Sequence, residues 1–212
     1  MSALLRRLRR TLQLPLALMA VLLIGLLGFV APSPALASGG DYLTSSSYKE
    51  LTAALNTTTD KQRLEDLQVL EQAVASSTDR AQISNGSSHN LGVFARYKKD
   101  LPTQAASFYV LGPGHQTDDD YEIVGLYVPS DVRLVWGASN GTSATAAARV
   151  ARVLEGEQLT VGDLVDDREP ESVAYQLSLP AFAVETQLAS VDPLPSFSQA
   201  QLDLELETAP LD

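Results

Sequence analysis

The chain of 212 residues carries few groups able to do covalent chemistry: two histidines and no cysteine. Thiolate nucleophiles, disulfides, cysteine-bound zinc and iron–sulfur clusters are thereby excluded. The densest run of potential ligands is His115, Asp118, Asp119, Asp120 and Glu122, just after the tight turn expected at Gly112-Pro113-Gly114. Adjacent carboxylates repel one another unless water or a cation screens them. A hard cation such as calcium takes oxygen ligands from loops of this kind. The spacing is not the alternating Asp-x-Asp-x-Asp-Gly pattern, and consecutive acids point in different directions, so a solvated hairpin loop competes with a cation site. His115 adds a nitrogen for a transition metal, but no second histidine lies nearby. No cofactor is expected beyond that calcium.

Gly137-Ala138-Ser139-Asn140-Gly141 spells Gly-x-Ser-x-Gly after an expected strand, the string of a nucleophile elbow. That hydrolase order needs a histidine after the serine, and both histidines, His89 and His115, precede it. A flexible small-residue loop accounts for the string better, so no catalytic residue is assigned. His89, in Ser87-Ser88-His89-Asn90, is expected in a polar loop. Beyond the first 37 residues, Arg96, Lys98 and Lys99 form the one concentrated basic patch, beside Phe94 and Tyr97. It can pair with the acidic tail, meet an anionic partner, or simply protect a sheet edge from aggregation. Asn56-Thr57-Thr58, Asn85-Gly86-Ser87 and Asn140-Gly141-Thr142 fit the glycosylation sequon and matter only in a host that glycosylates exported proteins.

The charge is uneven. Net charge is −11, which argues against nucleic acid as a partner. From Leu154 onward there are 13 acids and a single base, Arg168. That third is expected to be a solvated acidic face or a docking surface for a basic partner or divalent cations.

The first 37 residues read as an export signal. Arg6, Arg7, Arg9 and Arg10 form the basic n-region, an apolar stretch follows from about Leu12 to Ala31, and Ala35-Leu36-Ala37 fits the signal-peptidase rule. Arg9-Arg10-Thr11-Leu12 also fits a relaxed twin-arginine motif. About 20 apolar residues are long enough to serve instead as an uncleaved membrane anchor. Either way the body is exported. The leader, with Ala31-Pro32-Ser33-Pro34-Ala35-Leu36-Ala37, resembles the presequences of cyanobacterial thylakoid-lumen and periplasmic proteins. The acidic, cysteine-free body is similar to small lumenal accessory proteins of photosynthetic complexes. The resemblance implies a thylakoid-lumen or periplasmic address and a role in binding or assembly at a protein complex on a membrane surface.

The elements that would position these residues follow from hydropathy. Ser47-Tyr48-Lys49-Glu50 and Thr59-Asp60-Lys61-Gln62 match the capping box. They predict helices over about 48–55 and 60–76, the second with Leu64, Leu67, Leu70 and Val74 on one stripe. From Leu91 the pattern turns β-like, at 91–98, 107–111, 121–128, 132–136, 158–161, 172–179, 182–188 and 201–207. Residues 121–128 are apolar on both faces, the mark of a central strand. Pro129-Ser130-Asp131 predicts a turn into an antiparallel partner, residues 138–148 a loop, and 149–154 helix or strand. The expected fold is α+β, an N-terminal helical hairpin followed by an antiparallel β sheet or sandwich. The expected organisation is 1–37 signal peptide or anchor, 38–90 polar leader and helical hairpin, and 91–212 a β-rich domain with an acidic C-terminal third. The expected function is a non-enzymatic accessory or binding protein. The alternative is a cation- or small-ligand-binding β module centred on residues 115–122.

Overall fold

The computed structural model describes residues 41–97, 105–136, 139–142, 145–164, 173–187, 191 and 193–208. The leader, Lys98, Lys99 and Arg168 lie outside the described residues. The fold is α+β, with two five-stranded sheets and few helices.

A short 3-10 turn, Asp41–Thr44, leads into α1, Ser46–Thr57, and α2, Lys61–Ser76. The N-caps differ from the expected ones. Ser45, not Ser47, accepts from the Tyr48 N–H, and Asp60, not Thr59, accepts from the Arg63 N–H. Asp60 is the stronger cap because its carboxylate also complements the positive end of the helix. Tyr48 joins the two helices by donating to Glu71 at 2.8 Å. Leu51, Leu67, Leu70 and Val74 bury against Leu154 and Phe182 from the β region. Arg63 fastens α2 further by donating to the carbonyls of Ala181 and Phe182.

The strands are β1 Gln82–Gly86, β2 Leu91–Tyr97, β3 Ser107–Leu111, β4 Tyr121–Val128, β5 Arg133–Trp136, β6 Ser139–Thr142, β7 Arg149–Arg152, β8 Gln158–Asp163, β9 Ala174–Leu177 and β10 Val184–Glu185. Sheet A has the order β1-β8-β9-β5-β6 and sheet B the order β10-β7-β4-β2-β3. Sheet B is antiparallel throughout. Sheet A is mixed, because β1 runs parallel to β8 and β5 parallel to β9, which corrects the all-antiparallel expectation. A second correction concerns Pro129-Ser130-Asp131. That turn does not fold β5 back onto β4; it carries the chain into the other sheet. Both edges of β4 are already taken, by β2 and β7. The β pattern also starts earlier than expected, at Gln82, and the segment around Ser139 is strand rather than loop.

The two sheets share one core. Leu91, Val93, Ile123 and Leu126 from sheet B meet Ile83, Leu134, Val161 and Leu177 from sheet A. The opposite face of sheet B is buried as well: Phe94, Val110, Tyr127 and Val150 pack under Leu194, Phe197 and Leu202 from the C-terminal segment. β4 is therefore central, apolar on both faces. Its phase changes midway. Phe94 pairs with Gly125 while Ala95 pairs with Ile123, so Val124 is an extra residue, a β-bulge that sets Ile123 and Leu126 on the same face. Gly125 permits this, since a Cβ there would lie 2.4 Å from Val150 Cγ1.

Candidate functional site: the C-terminal strap

Residues 193–208 form a strap over the outer face and edge of sheet B. The sequence pattern predicted a strand over 201–207. The chain instead forms one helical turn, α3, Gln199–Leu202. Ser198 accepts from the Gln201 N–H at 3.2 Å and the Gln201 carbonyl Oε1 accepts from the Ser198 N–H at 2.8 Å, a complete capping box. That local signal outweighs the Leu202, Leu204, Leu206 alternation, of which only Leu202 is buried. Ahead of the turn, Phe197 stacks on Phe108 with ring centroids 5.7 Å apart. The Tyr127 hydroxyl donates to the carbonyls of Pro195 and Phe197, and burial raises its pKa to about 12.

Two carboxylates pin the strap. Asp203 Oδ1 accepts from the Asn90 N–H and from Gln199 Nε2, each at 2.9 Å, and Asp203 Oδ2 lies 2.8 Å from His89 Nδ1. Burial pushes the Asp203 carboxyl up, but the hydrogen bonds from His89, Asn90 and Gln199 outweigh it and hold it below its ordinary value. Farther along, Glu207 Oε1 lies 2.5 Å from His115 Nδ1 and accepts from the Gly112 N–H at 2.7 Å. The hydrogen bond with His115 is the main cause of the lowered Glu207 pKa. Gly112 lets Glu207 approach, since a Cβ there would meet its carboxylate at 2.9 Å. Thr208 closes the strap on β3: Val110 N–H donates to Thr208 Oγ1 and Thr208 N–H donates to the Val110 carbonyl, each at 3.0 Å. Both histidines of the chain thus pair with acids of one short segment.

The residues singled out from sequence go to separate places. His115 faces Glu207. Glu122 pairs with Arg96 at 2.9 Å across β4 and β2. Asp118 closes a turn by accepting from the Asp120 N–H, and Asp119 and Asp120 are exposed. Among the described residues, no group of three or more His, Asp or Glu is placed to hold a metal ion. The segment instead covers a sheet edge. Gly114 N–H donates to the Asn85 carbonyl, Asn85 N–H to the His115 carbonyl, and Thr117 N–H to the Ile83 carbonyl. The connection between β3 and β4 of sheet B therefore pairs with β1 of sheet A and stitches the sheets together. Asn85, first residue of a sequon, is buried and donates to the carbonyls of His89 and Leu111. Ser139 pairs with Trp136 in a β5–β6 ladder, not on a strand-to-helix turn. Lys98 and Lys99 lie outside the described residues, and no described helix is long and apolar enough to cross a membrane.

The strap itself was missed at the sequence level, although Ser198-Gln199-Ala200-Gln201 fits the same capping pattern that marks α1 and α2. The His89–Asp203 contact spans 114 residues and leaves no local signal. Gln199 Oε1 on the strap and the Tyr175 hydroxyl on β9 are buried with no hydrogen-bond partner among the described residues. Burial, and then the charges of Asp203, Asp163 and Asp131, raise the Tyr175 pKa, so the hydroxyl stays protonated. Comparison with protein families, curated proteins and solved structures finds no match to this chain.

Proposed function

We propose that this is an exported protein that works by binding, not by catalysis, at a protein complex on a membrane surface. Its leader supports the thylakoid lumen or periplasm as the compartment, and its exported body begins with a helical hairpin. The observation that carries the binding reading is the pair Leu204 and Leu206, 85% and 84% exposed on a strap fixed at Asp203 and Glu207. Burying a leucine stabilises by roughly 1.5–3 kcal/mol, so two of them held in water are a reserve for association. A segment already anchored on both sides loses little conformational freedom when a partner arrives. Glu205 stands exposed between them, so the complementary surface is an apolar cleft edged by lysine or arginine. The Arg96 end of the basic patch is less available, because Glu122 already holds it.

A photo-reactive residue at position 204 of the full-length chain tests this. Incubated with membranes from the host, it is expected to cross-link one discrete protein, and excess unmodified chain should compete the product away. The same probe at Thr160, exposed on sheet A, should give none. Equal labelling from both positions, or no competition, overturns the reading.

A further inference from the structure

We propose that His89 and Asp203 form a pH-responsive clasp that holds the strap more tightly in mild acid than in mild base. The ring is placed by its own loop. The His89 carbonyl accepts from Asn85 Nδ2 at 2.8 Å and from Ser87 Oγ at 3.1 Å, and its N–H reaches Ser87 Oγ at 3.3 Å. None of these bonds involves the imidazole, so the backbone that carries the ring is held independently of the ring's charge. Asp203 Oδ1 is occupied by two neutral donors, which leaves Oδ2 to the imidazole. Both side chains are about two-thirds covered, at 30% and 33% exposure, so the pair is only partly screened yet open to protons.

The charged groups that neighbouring elements bring to this corner are carboxylates. Asp203 comes from the strap. Asp163 comes from β8 and accepts from the Ser88 N–H at 2.8 Å. Asp131 comes from the β4–β5 turn and accepts from the Gln199 N–H at 3.1 Å. Tyr175 lies between them, its ring 6.3 Å from that of His89. A proton on the imidazole therefore adds positive charge where negative charge gathers, and converts a neutral–ionic hydrogen bond into an ion pair. Imidazoles gain that charge between about pH 8 and pH 5. Asp203, held below its ordinary range, keeps its own charge across that window and gives it up only in stronger acid. The clasp thus has an acid limit and an alkaline limit. The far end of the strap is tied by the reciprocal Val110–Thr208 bonds, which do not titrate, and by Glu207, whose carboxylate meets the Gly112 N–H and, at 2.5 Å, His115 Nδ1 in a second imidazole–carboxylate contact. Loosening at the His89 end is read by the amides next to Asp203, away from the Glu207 contact. Only the biological consequence, control of how Leu204 and Leu206 are presented, rests on the binding reading above; the clasp does not.

Amide hydrogen exchange on the full-length chain, corrected for the intrinsic pH dependence of exchange, reads the clasp without a partner. The reporting amides are Leu202, Asp203, Leu204 and Glu205, bonded to the carbonyls of Ser198, Gln199, Gln201 and Leu202. Their protection should be about three- to tenfold greater near pH 5.5 than near pH 7.5, the scale of one partly screened ion pair. The β4 amides should not follow. His89→Gln should abolish the difference, and Asp203→Asn, which keeps the shape and an acceptor oxygen, should do the same should His89→Gln fail to fold. Equal protection at both pH values in the unmodified chain, or an unchanged pH response in either folded variant, overturns the proposal. Leu204→Ser combined with Leu206→Ser removes the proposed docking groups and should leave the pH response intact, so the clasp and the binding reading can fail separately.

Discussion

Sheet B and sheet A solve the same packing problem with different means. In sheet B, β2, β3 and β4 follow one another in sequence and pair as neighbours, and both faces are covered, one by sheet A and one by the strap. In sheet A, β1 pairs with β8 and β5 with β9, segments far apart in the chain. β8 alternates exposed and buried residues, so at that strand the outer face meets water. The difference is one of tolerance. A change on either side of β4 meets packed atoms, whereas a change on the outer side of β8 meets solvent.

The sharpest way to break this comparison is a matched pair of substitutions. Gly125→Val places a branched side chain where even a Cβ lies 2.4 Å from Val150. The expected loss is about 3 kcal/mol or more, or failure to fold, seen in urea unfolding followed by the emission of the single tryptophan, Trp136. Thr160→Val, on the exposed side of β8, should change the same midpoint by no more than about 0.5 kcal/mol. Equal losses in the two variants would erase the distinction between the sheets.

A second, smaller effect lies where the chain passes from sheet B to sheet A. Glu157 is 1% exposed; burial raises its pKa to about 8, although its carboxylate accepts one hydrogen bond, from the Leu154 N–H at 2.9 Å. The folded chain therefore keeps a proton that the unfolded chain releases at the ordinary carboxyl value. Its contribution is fully present below that ordinary value and is lost as pH rises through about 8. Glu157→Gln, neutral at every pH, should flatten that slope and raise stability by about 1–3 kcal/mol near pH 8, with little change near pH 4. Thermal unfolding at the two pH values measures it; a variant with the same slope as the parent chain would show that Glu157 is not the group responsible.

The smallest effect is expected on the strap's outer side. Leu204→Ser with Leu206→Ser should leave stability within about 0.5 kcal/mol, because neither side chain packs on the body. A larger loss would mean that these leucines belong to the fold and not to a partner.

The same contrast explains what the sequence made legible. β3 and β4 begin and end where hydropathy and β-branched content placed them, because their partners are adjacent in the chain and their faces are apolar. β1 was invisible: Gln82-Ile83-Ser84-Asn85-Gly86 has one aliphatic residue and a turn-like end, and its partner β8 lies in a distant segment. The bulge at Val124 leaves no mark in the pattern except Gly125, which reads equally well as an ordinary small residue. At the strap, alternation of leucine and acid favoured a strand, but the capping box set the backbone and left two of the three leucines in water. The acidic run after His115 stands out in the sequence for its charge. Its main-chain groups, which carry no sequence signature, close the edge of β1.

The strands of the two sheets are interleaved along the chain, with β1, β5, β6, β8 and β9 in one and β2, β3, β4, β7 and β10 in the other. A polypeptide leaving the ribosome cannot finish either sheet until β9 and β10, close to its C-terminus, have emerged. Neither sheet of such a chain is complete until synthesis is nearly over, so their shared core closes late and as one unit.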